Sequence, residues 1–329
     1  MSPLWQRKPA ADIGLADDSD IGPATPHPAS VTAAQEPWEP IEVDEAGPVF
    51  EARPPSGPDC FGFPDSECDG WSTTDLTLRY ATVRGARHRY HRQPRQDSVR
   101  AALDERSGTI VFAVADGVSS ATLSHRGAKE VCEVAVGRML DRLSDDPRWA
   151  DFDDLARCGA ERLAEIARWW LGEARPTPAQ VAQLYATTLV AGLIWSHPEG
   201  PVAELCRVGD SGAWILDLAD GRYHSLFDSE TDAQSDVVST GVTPLPHVPD
   251  RMERVSRQLT PSQVLLVGTD GFGLPLGDGD GRIGGLFAHH LGSPPTPTWL
   301  AHVLDFSRAT FDDDRTLLAV WPRIPSRTR

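Results

Sequence analysis

The sequence predicts an α+β fold in which antiparallel β-sheets are covered by helices. Apolar runs of strand length recur between residues 75 and 325, whereas residues 1–70 lack regular apolar periodicity. Two helical patterns also lie next to each other instead of alternating with strands. A strictly alternating parallel sheet would place a single helix between successive strands, so a sandwich of antiparallel sheets fits better.

The predicted strands are short segments rich in Val, Leu and Ile. The run GTIVFAVAD, residues 108–116, is continuously apolar until its final acid. The others alternate or are similarly apolar, which is typical of strands buried on one or both faces. The predicted strands span residues 76–83, 98–103, 108–116, 186–195, 203–218, 263–271 and 315–321.

The two predicted helices span residues 124–143 and 153–174. In the second, Leu155, Leu163 and Ile166 fall on one face at helical spacing. Such a stripe predicts a helix that packs against a sheet.

The chain is predicted to divide into three parts. Residues 1–70 are rich in Pro, Asp and Glu and bury too little apolar surface to offset their ordering entropy, which predicts a largely disordered segment. Residues 71–325 form the globular domain, and residues 326–329 a short tail. The 329-residue chain is long enough for a substantial core.

Charge and cysteine usage restrict the class of protein. The net charge of −17 disfavours nucleic acid and anionic membranes as partners. Residues 1–30 carry Pro and Asp where a secretory signal needs an apolar run, and no run is long enough to span a bilayer. The five cysteines form no CxxC pair. We therefore expect a cytoplasmic protein.

Acids stand at the ends of several predicted strands. Asp116-Gly117 and Asp270-Gly271 follow apolar runs, Asp312–Asp314 precedes another, and Asp97 precedes residues 98–103. Asp-Gly is a common turn dipeptide, so each pair is weak evidence alone. Together the acids would create the oxygen-rich site that hard divalent cations require.

The ordered motifs RQDS, VADGVSSA, ATTLVAGL, VGDSGAWIL, LLVGTDG and DDDRTLLAV resemble the metal-dependent protein phosphatases (PPM, the type-2C serine/threonine phosphatases). The resemblance covers about residues 75–321, and VRGARHRYHRQPRQDS is similar to a variant opening of bacterial members. It implies a two-layer antiparallel β-sandwich with helices on both faces (αββα). It also implies a site for two Mn²⁺ or Mg²⁺ ions at one end.

The resemblance also assigns metal ligands. Asp116 would bridge the two ions, Gly117 would coordinate through its carbonyl, and Asp270 and Asp313 would hold one ion. Asp97 would act directly or through water. We expect Gln96, Asp314 and Gly271 beside these ligands.

A phosphate-binding arginine is implied five residues before Asp97, which is Arg92, with Arg95 as the alternative. A guanidinium can hold two phosphoryl oxygens in a fixed orientation. The implied reaction is hydrolysis of phosphoserine or phosphothreonine in proteins by a hydroxide bridging the two ions. A phosphoprotein substrate, and a serine/threonine kinase or its targets, would be the partners in bacterial signalling.

Some residues depart from the family pattern and leave a second hypothesis open. Ser119 and Ser120 replace glycines, and Gln96 stands where many members have Glu. An amide binds a hard cation more weakly than a carboxylate does. The alternative is therefore a catalytically weak or inactive regulatory module of the same fold. A phosphohydrolase with an aspartate nucleophile would need a second acid at Val118.

Overall fold

Two antiparallel sheets stack face to face, and helices cover the outer face of each. The computed structural model describes residues 38–57, 60–145, 152–227 and 243–323. The six-stranded sheet has the order β1-β2-β11-β10-β7-β8 and the five-stranded sheet the order β3-β4-β5-β6-β9. This arrangement confirms the predicted α+β sandwich.

The strands and helices have the following bounds. The strands are β1 Ser66–Ser72, β2 Leu76–Val83, β3 Ser98–Asp104, β4 Thr109–Ala115, β5 Leu189–Trp195, β6 Val202–Val208, β7 Gly212–Asp217, β8 Tyr223–Ser225, β9 Glu253–Gln258, β10 Gln263–Gly268 and β11 Arg315–Pro322. The helices are α1 Ala86–His91, α2 Ser124–Asp145, α3 Asp153–Leu171, α4 Pro178–Tyr185, α5 Asp270–Leu276, α6 Arg282–His290 and α7 Pro297–Leu304.

Strand β4 shows why the apolar runs are continuous. Ile110 and Phe112 point into the core between the sheets, whereas Val111 and Ala113 point outward into the core formed with α2, α3 and α4. A third core lies between the outer face of the other sheet and α5, α6 and α7. Side chains alternate along a strand, so a strand covered on both faces is apolar at every position.

Residues 203–218, predicted as one strand, are two strands in different sheets. β6 belongs to the five-stranded sheet and β7 to the six-stranded sheet. The chain crosses between them at Gly209, whose φ is +97° and whose absent Cβ would lie 2.7 Å from the Thr188 side chain. Only glycine fits this corner without strain.

The domain extends upstream of the predicted boundary at residue 71. That boundary falls inside β1, which pairs along its length with β2. Val43 is buried, and its N–H donates to the carbonyl of Ser307 (2.9 Å). The sequence SECDGWS forms an edge strand with little apolar alternation, so its pattern was missed. Residues 1–37 and the tail 326–329 lie outside the described residues.

The polar strand β9 and helices α1 and α4–α7 were also not predicted. β9 reads ERVSRQ and is mostly exposed at the sheet edge. In the part of the chain that the structure describes, no helix combines the length and apolarity needed to cross a membrane.

Asp154 links the two long helices on the outer face of the five-stranded sheet. Its carboxylate accepts hydrogen bonds from Arg138 (2.7 Å) and Arg142 (2.9 Å) of α2, and from Arg157 (3.2 Å) of α3. Burial alone would raise the pKa of this carboxyl, but the three arginines outweigh it and lower the pKa to about 2.

Asp154→Asn is expected to lower the free energy of unfolding at pH 7 by about 1–2 kcal/mol, a value limited by the half-exposed arginines. The folded pKa is depressed, so this stabilisation is present above the unfolded pKa near 4 and is lost as the pH falls towards 2. Urea unfolding between pH 7 and pH 3 measures it.

Asp153→Asn is the matched control, because Asp153 forms an exposed pair with Arg254 (2.7 Å). It should cost less than ~0.5 kcal/mol. An equal loss in both variants, or a pH-independent loss in Asp154→Asn, would contradict the assignment.

Candidate metal centre

The predicted site residues come together in a cleft at the loops that connect the strands. Asp116 follows β4, Asp270 begins α5 directly after β10, and Asp313 precedes β11. The cleft has a volume of about 250 Å³. Its lining residues are Gln96, Asp116, Gly117, Val118, Ser119, Thr188, Asp210, Pro244, Asp270 and Asp313.

The lining of this acid cleft is strongly anionic. Four of its residues are aspartates, and none of its described lining residues is Lys, Arg or His. The negative charges of Asp97, Asp270 and Asp313 all act on Asp116. Such a convergence of carboxylates favours protons or cations at its centre.

Burial and mutual repulsion set the protonation of these acids. Burial, and then the charges of Asp97 and Asp270, raise the pKa of Asp116 well above its usual range. Burial also raises the pKa of Asp270, and the charges of Asp210 and Asp313 add to the effect. Without a cation, the cleft therefore retains protons that a solvated aspartate would lose.

Three backbone contacts fix Asp116 at the tip of β4. Its N–H donates to the Thr188 hydroxyl (2.9 Å), and its carbonyl accepts from the Thr187 hydroxyl (2.7 Å) and the Thr188 N–H (2.8 Å). The Thr188 hydroxyl also bonds to Ser211 (2.8 Å). The motifs ATTLVAGL and VGDSGAWIL thus position the acid of VADGVSSA.

Asp97 lies beneath the cleft and not in its lining. It is 2% exposed, and one of its oxygens accepts from the hydroxyls of Thr269 (2.7 Å) and Thr316 (2.8 Å). Burial, and then the charge of Asp314, raise its pKa well above the usual range despite these two hydrogen bonds. Its charge nevertheless reaches Asp116, whose pKa it raises.

Asp313 and Asp314 have different environments although they are adjacent. Asp313 lines the acid cleft with a half-exposed side chain, and Arg87 lies 3.6 Å from its carboxylate. Asp314 is buried and accepts hydrogen bonds from the N–H groups of Gly85 and Gln96. His88 Nδ1 lies 2.8 Å from it.

The Asp314 carboxylate is held in its charged form. Burial would raise its pKa, but the ion-pair contact with His88 and the hydrogen bonds from the backbone N–H groups of Gln96 and Gly85 lower it. Burial would likewise lower the pKa of His88, and Asp314 raises it instead. Asp314 therefore ties α1 to the loop before β3.

Two glycines allow the loop of Asp313 and Asp314 to approach closely. A Cβ on Gly85 would lie 2.2 Å from the backbone carbon of Asp313. A Cβ on Gly271 would lie 1.9 Å from the carbonyl oxygen of Asp314. Neither position can accept a side chain unless the loop moves.

Gln96 contributes a buried oxygen to the cleft. The residue is 6% exposed, and its side-chain Oε1 has no hydrogen-bond partner among the described residues. A buried amide oxygen without a partner is costly. Gln96 also lines the acid cleft, so its amide belongs to the polar groups around the four aspartates.

The structure does not bring the two predicted arginines into the cleft lining. Arg92 is exposed and in the left-handed region (φ 61°), and its Nε donates to the carbonyl of Pro54 (3.3 Å). Arg95 is buried and pairs with Glu67 (2.9 Å) while its Nε donates to the Asp97 carbonyl (3.2 Å).

Sequence reasoning missed Asp210 and Arg87 as neighbours of the site. Asp210 was not among the predicted site residues, but it lines the cleft, and its charge raises the pKa of Asp270. Its position at the crossover between sheets, which the sequence pattern hid, places it there. Arg87 carried no signal that separated it from the other arginines nearby.

The profile of the family described as protein phosphatase 2C matches residues 84–305. This chain belongs to the protein phosphatase 2C family. The match spans the end of β2 to the end of α7 and includes Asp97, Asp116 and Asp270, whereas Asp313 lies just beyond it. A search of curated proteins finds no match.

Solved structures share the fold. RsbX in complex with magnesium is 12% identical, with a TM-score of 0.50 over 78% of this chain and 100% of RsbX. A bacterial serine phosphatase is 11% identical, with a TM-score of 0.51 over 75% and 97% of the two chains. The S. agalactiae serine/threonine phosphatase is 17% identical, with a TM-score of 0.50 over 75% and 100%.

Asp314→Ala is expected to destabilise the fold by about 3–5 kcal/mol, because it leaves His88 and two buried N–H groups without their acceptor. Asp313→Ala should change stability by less than ~1 kcal/mol but weaken Mn²⁺ binding at least tenfold. Thermal melting and calorimetric Mn²⁺ titration separate the two effects. Loss of Mn²⁺ binding in Asp314→Ala alone, at unchanged melting temperature, would shift the ligand assignment by one residue.

Proposed function

We propose that this chain is a phosphatase that hydrolyses phosphoserine and phosphothreonine in proteins with two Mn²⁺ or Mg²⁺ ions as cofactor. One observation carries the proposal: Asp116, Asp210, Asp270 and Asp313 converge in one cleft whose described lining has no basic side chain. Membership of the protein phosphatase 2C family supports the reaction.

The donor set fits hard divalent cations. Carboxylate and amide oxygens are the ligands that Mg²⁺ and Mn²⁺ prefer, and the unpartnered Oε1 of Gln96 adds to them. The fold neighbour RsbX is known in complex with magnesium, which supports the choice of ion.

Asp116, Asp270, Asp313 and the carbonyl of Gly117 would hold the ions. Asp97 would act from beneath the cleft through its negative charge, which already raises the pKa of Asp116. When bound, the ions would lower the pKa of water and neutralise charge on the phosphoryl group.

The chain's own residues orient the reacting groups. The hydroxyls of Thr269 and Thr316 donate to the Asp97 carboxylate, and three contacts hold the backbone of Asp116. Together they keep both carboxylates in place. The Gln96 amide and the Ser119 hydroxyl line the cleft where water and phosphoryl oxygens would lie. Positioning of this kind supplies much of the rate enhancement in phosphoryl transfer.

Arg92 remains the proposed phosphate ligand from the family resemblance. Its bond to the Pro54 carbonyl holds it outside the cleft lining. Reaching a phosphoryl group would require a movement of this loop.

Mn²⁺-dependent hydrolysis of an aryl phosphate and a phosphothreonine peptide is expected in the wild type, with a loss of at least ~100-fold in Asp116→Asn and Asp270→Asn. Each variant removes a charge that the cations need. Asp280→Asn, the same change at an acid in the turn before α6, should retain wild-type rates. Equal rates in the wild type and both cleft variants, across metals and pH, would favour the non-catalytic module.

The increase in melting temperature caused by Mn²⁺ is expected to be larger at pH 7.5 than at pH 5. Raised pKa values mean that protons compete with the cation for Asp116 and Asp270, and this competition weakens as the pH rises. Differential scanning fluorimetry with and without Mn²⁺ measures the difference. A pH-independent increase would place the binding site away from these acids.

A further inference from the structure

A second depression opens directly beside the acid cleft and shares two lining residues with it, Gln96 and Ser119. This side groove has a volume of about 270 Å³. Ser120 and Thr122 belong to one wall of the groove, and Ser56 and Gln93 belong to the opposite wall. The shared residues make the groove a continuation of the acid cleft.

The chemistry of the side groove differs from that of the acid cleft. Its described lining contains no Asp, Glu, Lys or Arg. Besides hydroxyl, amide and small side chains, it includes Pro94, Leu123 and the buried His125. Ser119, Ser120 and Thr122 are all exposed. Neutral donors and acceptors of this kind match the N–H and C=O groups of a peptide main chain.

The wall that carries Ser120 is held in place by the end of α4. Val118 N–H donates to the Ala186 carbonyl (3.0 Å), Thr122 N–H to the Gln183 carbonyl (2.9 Å) and Leu123 N–H to the Leu184 carbonyl (2.8 Å). A wall fixed at three points along its length is pre-organised, which lowers the entropic cost of binding.

The opposite wall comes from the segment upstream of the predicted domain. Ser56 N–H donates to the Arg92 carbonyl (2.8 Å), and the Cys60 thiol donates to the Gly57 carbonyl (3.2 Å). This wall therefore joins the N-terminal segment to the loop that leads to Gln96 and Asp97.

We propose that the side groove binds the substrate main chain on one side of the phosphorylated residue and selects substrates with uncharged neighbouring residues. The proposal rests on the proposed phosphatase function and specifies which phosphoproteins would be preferred as substrates. The phosphorylated side chain would enter the acid cleft, and the adjoining residues would lie along Ser119, Ser120 and Thr122. A charged neighbouring residue would meet no carboxylate, guanidinium or ammonium group in the described lining.

Ser120→Trp tests the position of the groove. We expect the ratio of kcat/KM for a phosphothreonine heptapeptide to that for an aryl phosphate to fall at least ~fivefold, because the indole fills the groove. Ser256→Trp, the same change at an exposed serine of the edge strand β9, should leave this ratio unchanged. An unchanged ratio in Ser120→Trp would overturn the proposal.

Ser120→Lys and Ser120→Glu test the chemistry without filling the groove. Heptapeptides with alanine, acidic or basic neighbours of the phosphothreonine are compared in each variant. The wild type should prefer alanine, the lysine variant should shift towards acidic neighbours, and the glutamate variant should shift towards basic ones, by about threefold or more. Identical preferences in all three proteins would exclude contact between position 120 and the peptide.

Direct binding separates failure of this proposal from failure of the phosphatase function. If the wild type hydrolyses neither substrate, the proposed phosphatase function is wrong. Binding of a fluorescein-labelled phosphothreonine heptapeptide in the presence of Mn²⁺ then still tests whether the side groove binds the peptide. Weaker binding by at least ~fivefold in Ser120→Trp, but not in Ser256→Trp, supports it. Equal binding by both variants and the wild type overturns it.

Discussion

Repulsion among buried carboxylates is the constraint on which the rest of this structure depends. Burial raises the pKa values of Asp97, Asp116 and Asp270. The charge of Asp270 adds to this effect at Asp97 and Asp116, and the charge of Asp97 adds to it at Asp116. Burying several like charges is unfavourable unless protons or cations neutralise them. The cluster therefore favours bound protons or cations at its centre.

The surrounding fold holds these groups against that repulsion. Threonine hydroxyls bond to Asp97 and to the backbone of Asp116, and these threonines come from strands or strand ends in both sheets. Asp314 has the opposite role: His88 and two backbone N–H groups stabilise its charge. Of these two adjacent acids, Asp313 thus lines the cleft and Asp314 holds the loop in place.

The acid cleft and the side groove divide recognition between two kinds of chemistry. The cleft is anionic and would act on the phosphoryl group through cations, while the uncharged groove would contact the polypeptide. Ser119 lies in both, so a serine that departs from the family's glycine pattern stands where the two regions meet. The departure adds a hydroxyl at a position where peptide and phosphoryl group would both be close.

The sequence by itself determined most strands, both long helices and the acids at strand ends, because apolar periodicity and Asp-Gly pairs are local patterns. Polar edge strands such as β9 and the crossover at Gly209 gave no such pattern. Only the tertiary structure decided that Asp210 lines the cleft, that Asp97 lies beneath it and that Arg92 stays outside its lining. These positions depend on strand pairing and loop packing between residues far apart in the chain, which no local pattern encodes.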